Sequence, residues 1–431
     1  MKTIIHNGKL KQAESWLHEA VLQIEDGIIR SISCTAPDVV ELAWADEVID
    51  ARGMAILPGL INGHTHFSQT FMRGLAGGRP LLQWLKDLIW PLQAEMSVEE
   101  MHLAALLGLA ENIRCGVTEV VDHHKITQTR QHTLVVQQAA EQSGLRCTIA
   151  RAWSNRGKNA EEDQAILTEL LDWYDGVNAG SRVRYASGPL TPWRCSAELL
   201  QKTHVLSVQH GSFTHIHVSE TAEEVDMTQE EVGLRPVRWL DEIGILDEHS
   251  QIVHAVWVDD EELDLLAQSG ATVVHCPVSN AVLGSGIAPI RSMLDRNVRL
   301  RLGTDGPASN DTQDCFENMK MALCLARAVH KDANHLSSQD VLSMATAGRT
   351  LRVDSPADLI LVDLMNLHAA PVHDLDSALT LCARGDDVDT VLVSGEIVMR
   401  DKRLITIDEE VLLKECSQAV VSLRKRAGVE I

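Results

Sequence analysis

Two histidines separated by one residue are the first feature of this chain that points to chemistry. His64 and His66 follow an apolar run from Ala55 to Ile61. Side chains on a β-strand return to the same face every second residue, so both imidazoles are expected to project from one side. Most histidines lie on the surface or bond within the core, and a His-x-His pair alone more often has one of these roles than a metal. At a strand end, however, its two rings can hold one metal ion, and the residues described next favour that role.

Three further polar residues stand at the ends of predicted strands. His217 and His254 lie at the ends of two successive apolar segments, and Asp305 follows a third. Three imidazoles from among these four histidines, together with the carboxylate, suit a single catalytic zinc or a similar divalent ion, with one position left for water. Such an ion lowers the pKa of its bound water to about 7, which makes hydroxide available at neutral pH.

Glu220 is the candidate general acid or base. It lies three residues beyond His217, where the chain leaves its strand, and can move a proton between water and substrate. Most glutamates are solvated surface charges, but the coupling to His217 favours a catalytic role. His215 shares the strand face of His217 one layer deeper, and we expect it to support the site or the core. His123 follows another strand and is expected to line the pocket.

These residues need a scaffold that gathers strand ends at one place. Short apolar segments alternate with helical patterns from residue 55 to about 354. Repetition of this kind predicts a (β/α)8 TIM barrel of parallel strands, an α/β fold whose active site lies at the carboxyl ends of the strands. The predicted strands include Val117–Val121, Thr214–Val218, Gln251–His254, Ala271–His275 and Val298–Leu302, and the predicted helices include Val98–Arg114 and Asp260–Gln268.

Both ends of the chain read as strands outside the barrel. Ala20–Ile24 and Ile28–Ile32 flank a turn and predict a hairpin. Apolar segments return after residue 356, and a final helix is predicted over Glu409–Arg426. We therefore expect residues 1–54 and 355–431 to form a small β-sandwich domain with a C-terminal helix, beside a catalytic barrel of residues 55–354.

Composition narrows the class of protein. The 431 residues suit one barrel of about 250 residues and a smaller domain. The net charge of −23 argues against nucleic acid as a partner, since phosphates would be repelled. No apolar stretch reaches about 18 residues, so a membrane partner is not expected. The nine scattered cysteines include no Cys-x-x-Cys pair, which favours reduced thiols and a cytoplasmic location.

Taken together, the motifs resemble the amidohydrolase superfamily, in its deaminase branch with one metal ion. The resemblance runs from Ile49 to the C-terminal strands. It is closest to the group that contains methylthioadenosine/S-adenosylhomocysteine deaminases, 8-oxoguanine and pterin deaminases, and triazine hydrolases. The segments that carry it are Pro58–His66 (PGLINGHTH), His215–Thr221 (HIHVSET), the strand end at His254, Ser279–Asn280 with Gly286–Pro289, and Gly303–Asn310 (GTDGPASN).

The resemblance implies a role for each candidate residue. One Zn²⁺, with Fe²⁺ or Mn²⁺ as alternatives, would be held by His64, His66, His217 and Asp305. Asp305 would also take a proton from the water, Glu220 would protonate a ring nitrogen of the substrate, and His254 would hydrogen-bond the attacking oxygen. The implied reaction is hydrolytic deamination, in which hydroxide attacks a ring carbon that bears an amino group and ammonia leaves.

Five positions bear on the substrate. Trp84 is placed to stack on a heterocycle. Gln93 stands where the methylthioadenosine deaminases carry a glutamate for the ribose hydroxyls, and Leu190 where they carry a histidine. The Asp122-His123-His124 segment resembles the 8-oxoguanine deaminases, with Lys125 in place of their tyrosine. Arg151, just after the apolar segment Thr148–Ala150 that is interpreted as a strand, is a candidate for holding a substrate carbonyl, although a surface charge is at least as plausible.

Several alternatives stay open at this stage. Gln93 and Leu190 favour an amino-substituted base (a purine, a pterin or a related heterocycle) over a nucleoside. A nucleoside deaminase, a triazine-type hydrolase that releases an amine or chloride, and an inactive metal-binding relative are the alternatives. Family likeness also favours a homo-oligomer. Relatives usually carry more residues between Leu351 and Ala357, so the last barrel helix and its return to the β domain are expected to be short.

Overall fold

The structure is a computed structural model that describes residues 1–125, 128–157, 159–178 and 180–429. Within these ranges the chain forms two sheets surrounded by helices. The strands are β1 (Lys2–Lys11), β2 (Trp16–Glu25), β3 (Ile28–Ser33), β4 (Glu47–Asp50), β5 (Met54–Pro58), β6 (Leu60–Thr65), β7 (Val117–His124), β8 (Arg146–Trp153), β9 (Val183–Pro189), β10 (Thr214–Val218), β11 (Ser250–His254), β12 (Thr272–His275), β13 (Arg299–Leu302), β14 (Leu359–Asp363), β15 (Val388–Val393), β16 (Glu396–Arg400) and β17 (Arg403–Leu404).

The helices mostly connect successive strands of the second sheet. The α-helices are α1 (Val39–Trp44), α2 (Leu81–Trp84), α3 (Trp90–Glu95), α4 (Val98–Arg114), α5 (Arg130–Ser143), α6 (Asp163–Asp175), α7 (Ala197–Gln209), α8 (Ala222–Val232), α9 (Pro236–Glu242), α10 (Asp260–Ser269), α11 (Pro277–Val282), α12 (Ile290–Asp295), α13 (Pro307–Asn310), α14 (Cys315–His330), α15 (Ser338–Thr346), α16 (Leu375–Ser377) and α17 (Glu409–Ala427). Short 3₁₀ turns lie at Phe67–Met72, Pro192–Arg194 and Gly385–Asp387, and π-helical turns lie at Leu85–Ile89 and Ala378–Cys382. None of the helices that the described residues form combines the length and the apolar composition of a membrane span.

Strands β6 to β13 form the predicted barrel. They pair in parallel and in chain order, each with its neighbour in sequence. Helices such as α4, α5, α6 and α7 return the chain from the end of one strand to the start of the next. The five expected barrel strands and both expected helices are present, and each begins within two residues of the predicted position. The fold class predicted from the β-then-α repetition is confirmed.

Side-chain bonds and close backbone contacts close the barrel between its first and last strands. The amide of Asp305 donates to the carbonyl of His64 over 2.9 Å, and the amide of Thr304 donates to Asn62 Oδ1 over 3.0 Å. Glycine on both sides permits this approach. A Cβ atom on Gly303 would lie 2.9 Å from the Cβ of His64, and one on Gly63 would lie 2.9 Å from the carbonyl oxygen of Leu302. The seam thus binds the end of β6 directly to the segment that carries Asp305.

The ends of the chain meet in a second sheet of nine strands. Its order is β17-β16-β15-β14-β5-β1-β2-β3, and β4 pairs with β1. Successive side chains of these strands point to opposite faces of the sheet, and each face packs in its own core. Ile56 and Leu359 lie in the core on one face, and Leu57 and Ile360 pack against the barrel on the other. β5 belongs to this sheet, so the barrel strands begin at Leu60 and the proposed boundary at residue 54 precedes them by one strand.

Candidate active site

The predicted polar residues meet at the carboxyl ends of the barrel strands. His64 lies near the end of β6, His217 near the end of β10, and His254 ends β11, while Asp305 follows β13. His66 follows β6 directly. All five side chains are buried. Because parallel strands end on the same side of a barrel, residues far apart in sequence converge there.

Their ligand atoms lie close enough to share one ion. The candidate ligand atoms of His64, His66 and His217 lie within 4.8 Å of one another, as do those of His64, His254 and Asp305. Asp305 Oδ1 is 3.4 Å from His64 Nε2 and 3.3 Å from His66 Nε2. Tetrahedral zinc with bonds near 2.0–2.1 Å spaces its ligand atoms roughly 3.3–3.4 Å apart. These two distances therefore fit a common divalent ion.

Hydrogen bonds to Nδ1 orient each imidazole so that Nε2 faces the cluster. His64 Nδ1 lies 2.8 Å from His215 Nε2, and His215 Nδ1 lies 3.0 Å from Gln251 Oε1. The amide oxygen of Gln251 can only accept a hydrogen bond, so His215 Nδ1 donates to it. His215 Nε2 is then the acceptor, and His64 Nδ1 is the donor to it. His64 Nε2 then has a free lone pair, and it has no hydrogen-bond partner among the described residues.

The other rings are held in the same way. His66 Nδ1 donates to the carbonyl of His123 over 2.7 Å, and His217 Nδ1 donates to the carbonyl of Leu190 over 3.0 Å. His254 Nδ1 lies 2.9 Å from Asn280 Oδ1. Bonds of this kind select the tautomer that binds metal through Nε2 and fix the plane of the ring.

Burial puts these groups in the protonation states that a cation requires. It lowers the pKa of His64 and of His254, and lowers those of His66 and His217 well below the usual value. Burial alone would raise the pKa of Asp305, but the histidines that surround it, His64 above all, hold it well below its ordinary value. Neutral imidazoles beside an ionised carboxylate are ready to bind a divalent ion without first releasing protons.

Asp305 is held in an unusual backbone conformation. Its φ is +63°, and Ser219 and His254 at the neighbouring strand ends also have positive φ, at +54° and +74°. Such angles cost about 1–3 kcal/mol each in residues other than glycine and cluster at functional sites. The carboxylate accepts a hydrogen bond from Ser279 Oγ over 2.7 Å and another from the amide of Gly306 over 2.6 Å. The strained backbone and these bonds together aim Asp305 at the histidines.

Glu220 is a buried carboxyl group that stays protonated at neutral pH. Burial and the charge of Asp305 raise its pKa to about 8. Its Oε1 accepts a hydrogen bond from Ser285 Oγ over 3.0 Å, and its Oε2 lies 3.4 Å from His254 Nε2. A protonated carboxyl group beside a cluster of neutral imidazoles can act as a general acid.

Glu224 is a second buried carboxyl group, and the sequence reasoning missed it. Burial and the charge of Glu220 raise its pKa to about 7. It accepts a hydrogen bond from the amide of Glu220 over 3.2 Å, and so supports that residue. Glu224 lies in the first turn of α8, away from any strand end. The sequence signal that was available is the Thr221–Glu224 spacing of a helix start, which indicates a cap and not a site.

His123 joins the cluster as predicted. Its ring centre is 4.6 Å from that of His217 and 5.4 Å from that of His66. Its Nε2 donates to the carbonyl of Gly188 over 3.0 Å, which leaves Nδ1 as an acceptor without a partner among the residues described. Its contact with a substrate remains a prediction.

Three other residues that were predicted to contact the substrate lie at different places relative to the cluster. Gln93 is buried, and its Nε2 donates to Ser68 Oγ over 3.1 Å, two residues beyond His66. Leu190 contacts the cluster through its carbonyl group, which orients His217. Trp84 is buried in the large apolar core, and its indole N–H has no partner within the described ranges. Roles in substrate binding for these three remain predictions.

The structure corrects the prediction for Arg151. Its guanidinium donates to Glu161 over 2.6 Å and to Glu169 over 2.5 Å, and the side chain is only 3% exposed. The strand β8 does not stop at Ala150 but continues to Trp153. Arg151 therefore alternates with Ala150, which packs inside the barrel, and points outward to the helix layer. Arg151 is a structural ion-pair residue and not a substrate contact.

A buried polar network behind the metal ligands was also missed. Gln313 Nε2 donates to the carbonyl of Asp305 over 3.1 Å, and its Oε1 accepts from Thr65 Oγ1 over 2.9 Å. Asn62 Nδ2 donates to Thr304 Oγ1 over 2.8 Å. Asn62 has the same strand parity as His64 and His66, so its inward direction was readable from the sequence. Its hydrogen-bond partners lie far along the chain, and the sequence did not predict them.

The sequence of most of the chain matches one protein-family model. Residues 55–398 match the model described as "Amidohydrolase family". The chain belongs to the amidohydrolase family. The match spans the barrel and most of the C-terminal strands, so it covers every residue of the cluster.

Curated relatives of this amidohydrolase are deaminases. The chain is 37% identical over 412 residues to a 5′-deoxyadenosine deaminase of Methanothermobacter thermautotrophicus, over 93% of this chain and 94% of that one. It is 37% identical over 424 residues to a 5-methylthioadenosine/S-adenosylhomocysteine deaminase of Pyrococcus furiosus, over 95% of this chain and 98% of that one.

Solved structures show the same fold. An adenosine deaminase from Xanthomonas campestris with bound zinc has a TM-score of 0.89 and 28% identity, and the match covers 98% of both chains. A zinc complex of atrazine chlorohydrolase from Arthrobacter aurescens has a TM-score of 0.91 at 23% identity, over 97% of this chain and all of that one. This amidohydrolase is therefore a metal-dependent hydrolase that acts on carbon–nitrogen bonds by hydrolytic deamination.

Proposed function

We propose that this amidohydrolase deaminates an adenosine-type nucleoside that lacks a 5′ phosphate. The observation that carries the chemistry is the buried carboxyl group of Glu220, whose Oε2 lies 3.4 Å from His254 Nε2 and whose pKa burial raises to about 8. The relatives at 37% identity are named for 5′-deoxyadenosine and for methylthioadenosine and S-adenosylhomocysteine, which supports a nucleoside.

One Zn²⁺ is the proposed cofactor. His64, His66, His217 and Asp305 would hold it, because their ligand atoms converge and the lone pair of His64 Nε2 is free. The bound ion would supply acidity to a water molecule and so make a nucleophile available at neutral pH. Iron and manganese accept the same ligand types and stay alternatives.

The chain's own residues then move the protons. Asp305 accepts a proton from the attacking water, and Glu220 gives its proton to the ring nitrogen next to the carbon that bears the amino group. The carbon becomes electrophilic as that nitrogen is protonated. The Nδ1 atom of His254 donates to Asn280 Oδ1, so its Nε2 can accept a hydrogen bond from the hydroxyl group added to the ring carbon. Asp305 then passes the proton that it accepted to the amino group, which leaves as ammonia. The hydroxyl proton returns to Glu220 as C–OH becomes C=O, so one water is consumed and both carboxyl groups regain their starting states.

A free heterocyclic base is the second candidate. Gln93 is uncharged and already donates to Ser68, and Leu190 presents an apolar side chain, so neither supplies a charged contact for a ribose. Burial lowers the pKa of Lys125, while the charges of Asp305 and Glu220 act on its ammonium group. A lysine so close to the cluster would suit a carbonyl oxygen on the ring, as in 8-oxoguanine or a pterin.

Ammonia release by the zinc-loaded protein separates these candidates. The panel would contain 5′-deoxyadenosine, methylthioadenosine, S-adenosylhomocysteine, adenosine, guanine, 8-oxoguanine, isoxanthopterin and melamine. The proposal expects turnover of the nucleosides with a higher kcat/KM than any free base. Turnover of bases alone would replace the first candidate with the second. Silence across the panel, with zinc bound at one equivalent, would refute deamination of this substrate class.

The remaining predictions are supported less directly. A small-molecule substrate follows from the enzyme relatives. A cytoplasmic location and a homo-oligomer stay predictions from the sequence. The triazine alternative gains nothing from the chlorohydrolase structure, because at 23% identity that likeness concerns the fold alone.

A further inference from the structure

A large cavity opens at the end of the barrel opposite the metal cluster. Its volume is about 970 Å³, and its walls come from the N-terminal ends of β7, β8 and β9 and from the residues just before β10. The connection from α15 to β14, residues 347–358, forms another wall and contains no helix. The cluster lies at the carboxyl ends of the same strands, so the two sites are separated by the length of the barrel.

Arginine dominates the charge of this cavity. Five arginines line it, against the two acidic residues Glu119 and Asp358, in a chain whose net charge is −23. The arginines are Arg146, Arg182, Arg184, Arg349 and Arg352. A local excess of positive charge in so acidic a protein is not expected from composition, and it creates a positive potential that attracts anions.

Three of the five arginines have carboxylate partners. Arg146 Nε bonds Asp358 over 2.8 Å, Arg182 pairs with Glu396 over 2.9 Å, and Arg349 pairs with Glu119 over 2.6 Å. These pairs hold the walls in place and neutralise their own arginines.

Two arginines are left without such partners. Across the described ranges, the guanidinium groups of Arg184 and Arg352 make no salt bridge and no hydrogen bond, and both residues are exposed to the cavity. On β13, burial together with the charges of Arg349 and Arg299 lowers the pKa of Arg301, although the charge of Glu119 opposes this. The positive charge of this end of the barrel is therefore not fully compensated by the chain.

We propose that this arginine cavity binds an organic phosphate with two or more negative charges. Guanidinium groups donate paired hydrogen bonds to phosphate oxygens, which makes arginine the preferred partner of phosphate in proteins. A volume of about 970 Å³ is that of a small-molecule site and far exceeds what one phosphate needs. Tyr174, Tyr185 and Phe213 also line the cavity and offer apolar surface to the organic part.

Calorimetric titration of the zinc-loaded protein tests this proposal. The probes are inorganic phosphate and fructose 1,6-bisphosphate, a bisphosphate without the heterocycle that the metal site would select. We expect the bisphosphate to bind at one site per chain, more tightly than phosphate, and to weaken as KCl screens the charges. Tighter binding of phosphate would assign the cavity to the free anion and overturn the organic ligand.

Variants locate the binding. Arg184→Gln combined with Arg352→Gln removes both unpaired charges. Because each guanidinium would donate charged hydrogen bonds to phosphate, the affinity for the bisphosphate should fall roughly tenfold or more. Arg403→Gln, an exposed arginine outside the cavity lining, is the matched control and should bind like the parent. The double variant should keep the parent's melting temperature and deaminase activity, because neither residue touches the cluster.

Three results would overturn the proposal. They are equal binding by the double variant, no binding by the parent at millimolar concentration, and competition between the bisphosphate and the deaminase substrate. The last would place the anion at the metal cluster. If the parent does not bind the probe and the double variant changes its oligomeric state, the cavity would instead be assigned to a subunit interface.

Discussion

Replacing Glu220 with glutamine is expected to remove most of the deaminase activity. The amide has nearly the shape of the carboxyl group, and its oxygen can still accept the bond that Ser285 Oγ donates over 3.0 Å. The variant loses the transferable proton. Since general acid–base catalysis contributes about 10²–10⁴-fold, kcat/KM should fall at least about 100-fold while zinc content stays unchanged.

The same substitution should make the metal-free protein more stable at alkaline pH. Folding raises the pKa of Glu220 from 4.5 to about 8, so the native state holds this proton more tightly than the unfolded chain. Stability is therefore lost as pH rises from about 4.5 to 8. At 1.36 kcal/mol per pKa unit, the loss is at most roughly 5 kcal/mol. Glutamine does not titrate, so the variant should gain up to that amount at pH 9 and little at pH 5.

Denaturant unfolding in the presence of EDTA measures this difference at pH 5, 7 and 9. The chelator removes zinc, whose charge would stabilise the carboxylate. Glu223→Gln, an exposed glutamate three residues further along the chain in the first turn of α8, is the matched control and should follow the parent at every pH. Parallel stability curves for the parent and Glu220→Gln, or full turnover by the variant, would refute the assignment of a buried general acid.

Three further predictions concern the groups around the cluster. Replacing His215 with alanine removes the acceptor for His64 Nδ1, so zinc affinity measured by chelator competition should fall about 10- to 100-fold; His275→Ala, a buried histidine outside both candidate ligand sets, should not show this loss. The rate of the zinc enzyme should fall as pH rises through the pKa of Glu220, and a rate that keeps rising above pH 9 would contradict its role as an acid. Arg151→Met should lower the free energy of unfolding by about 2 kcal/mol, because two partly buried carboxylates lose their partner; a KM raised tenfold at unchanged stability would restore Arg151 to the substrate site.

The cluster was predictable because its signals are local. His64 and His66 share a strand face by their spacing, and His217, His254 and Asp305 stand at strand ends. A parallel barrel brings all such ends together. Strand assignment plus side-chain parity was therefore sufficient to select these five residues before any contact was known.

Errors arose where the end of a strand was misjudged. Treating Ala150 as the last residue of its strand placed Arg151 in the pocket, but β8 extends to Trp153 and parity turns Arg151 outward. The apolar run Ala55–Ile61 was interpreted as one strand, yet it contains β5 and β6 of different sheets. The break lies at Gly59, where a Cβ atom would be 2.1 Å from Thr118 Oγ1.

Other features depend on contacts between distant parts of the chain. The bond from Gln313 to the carbonyl of Asp305 and the proximity of Glu224 to Glu220 follow from how the barrel closes and how α8 begins. The raised pKa of Glu220 depends on its burial, which the sequence around it does not reveal. The arginine cavity likewise gathers residues from four strand starts and a later connection.

Metal titration tests the central claim most directly. Apoprotein prepared by chelation would be titrated with Zn²⁺ while ammonia release from 5′-deoxyadenosine or methylthioadenosine is followed. One ion held by His64, His66, His217 and Asp305 predicts that activity rises linearly and stops rising at one equivalent, with one ammonia per nucleoside consumed. Activity that is independent of metal, or that requires a second equivalent, would contradict a deaminase built on this single cluster.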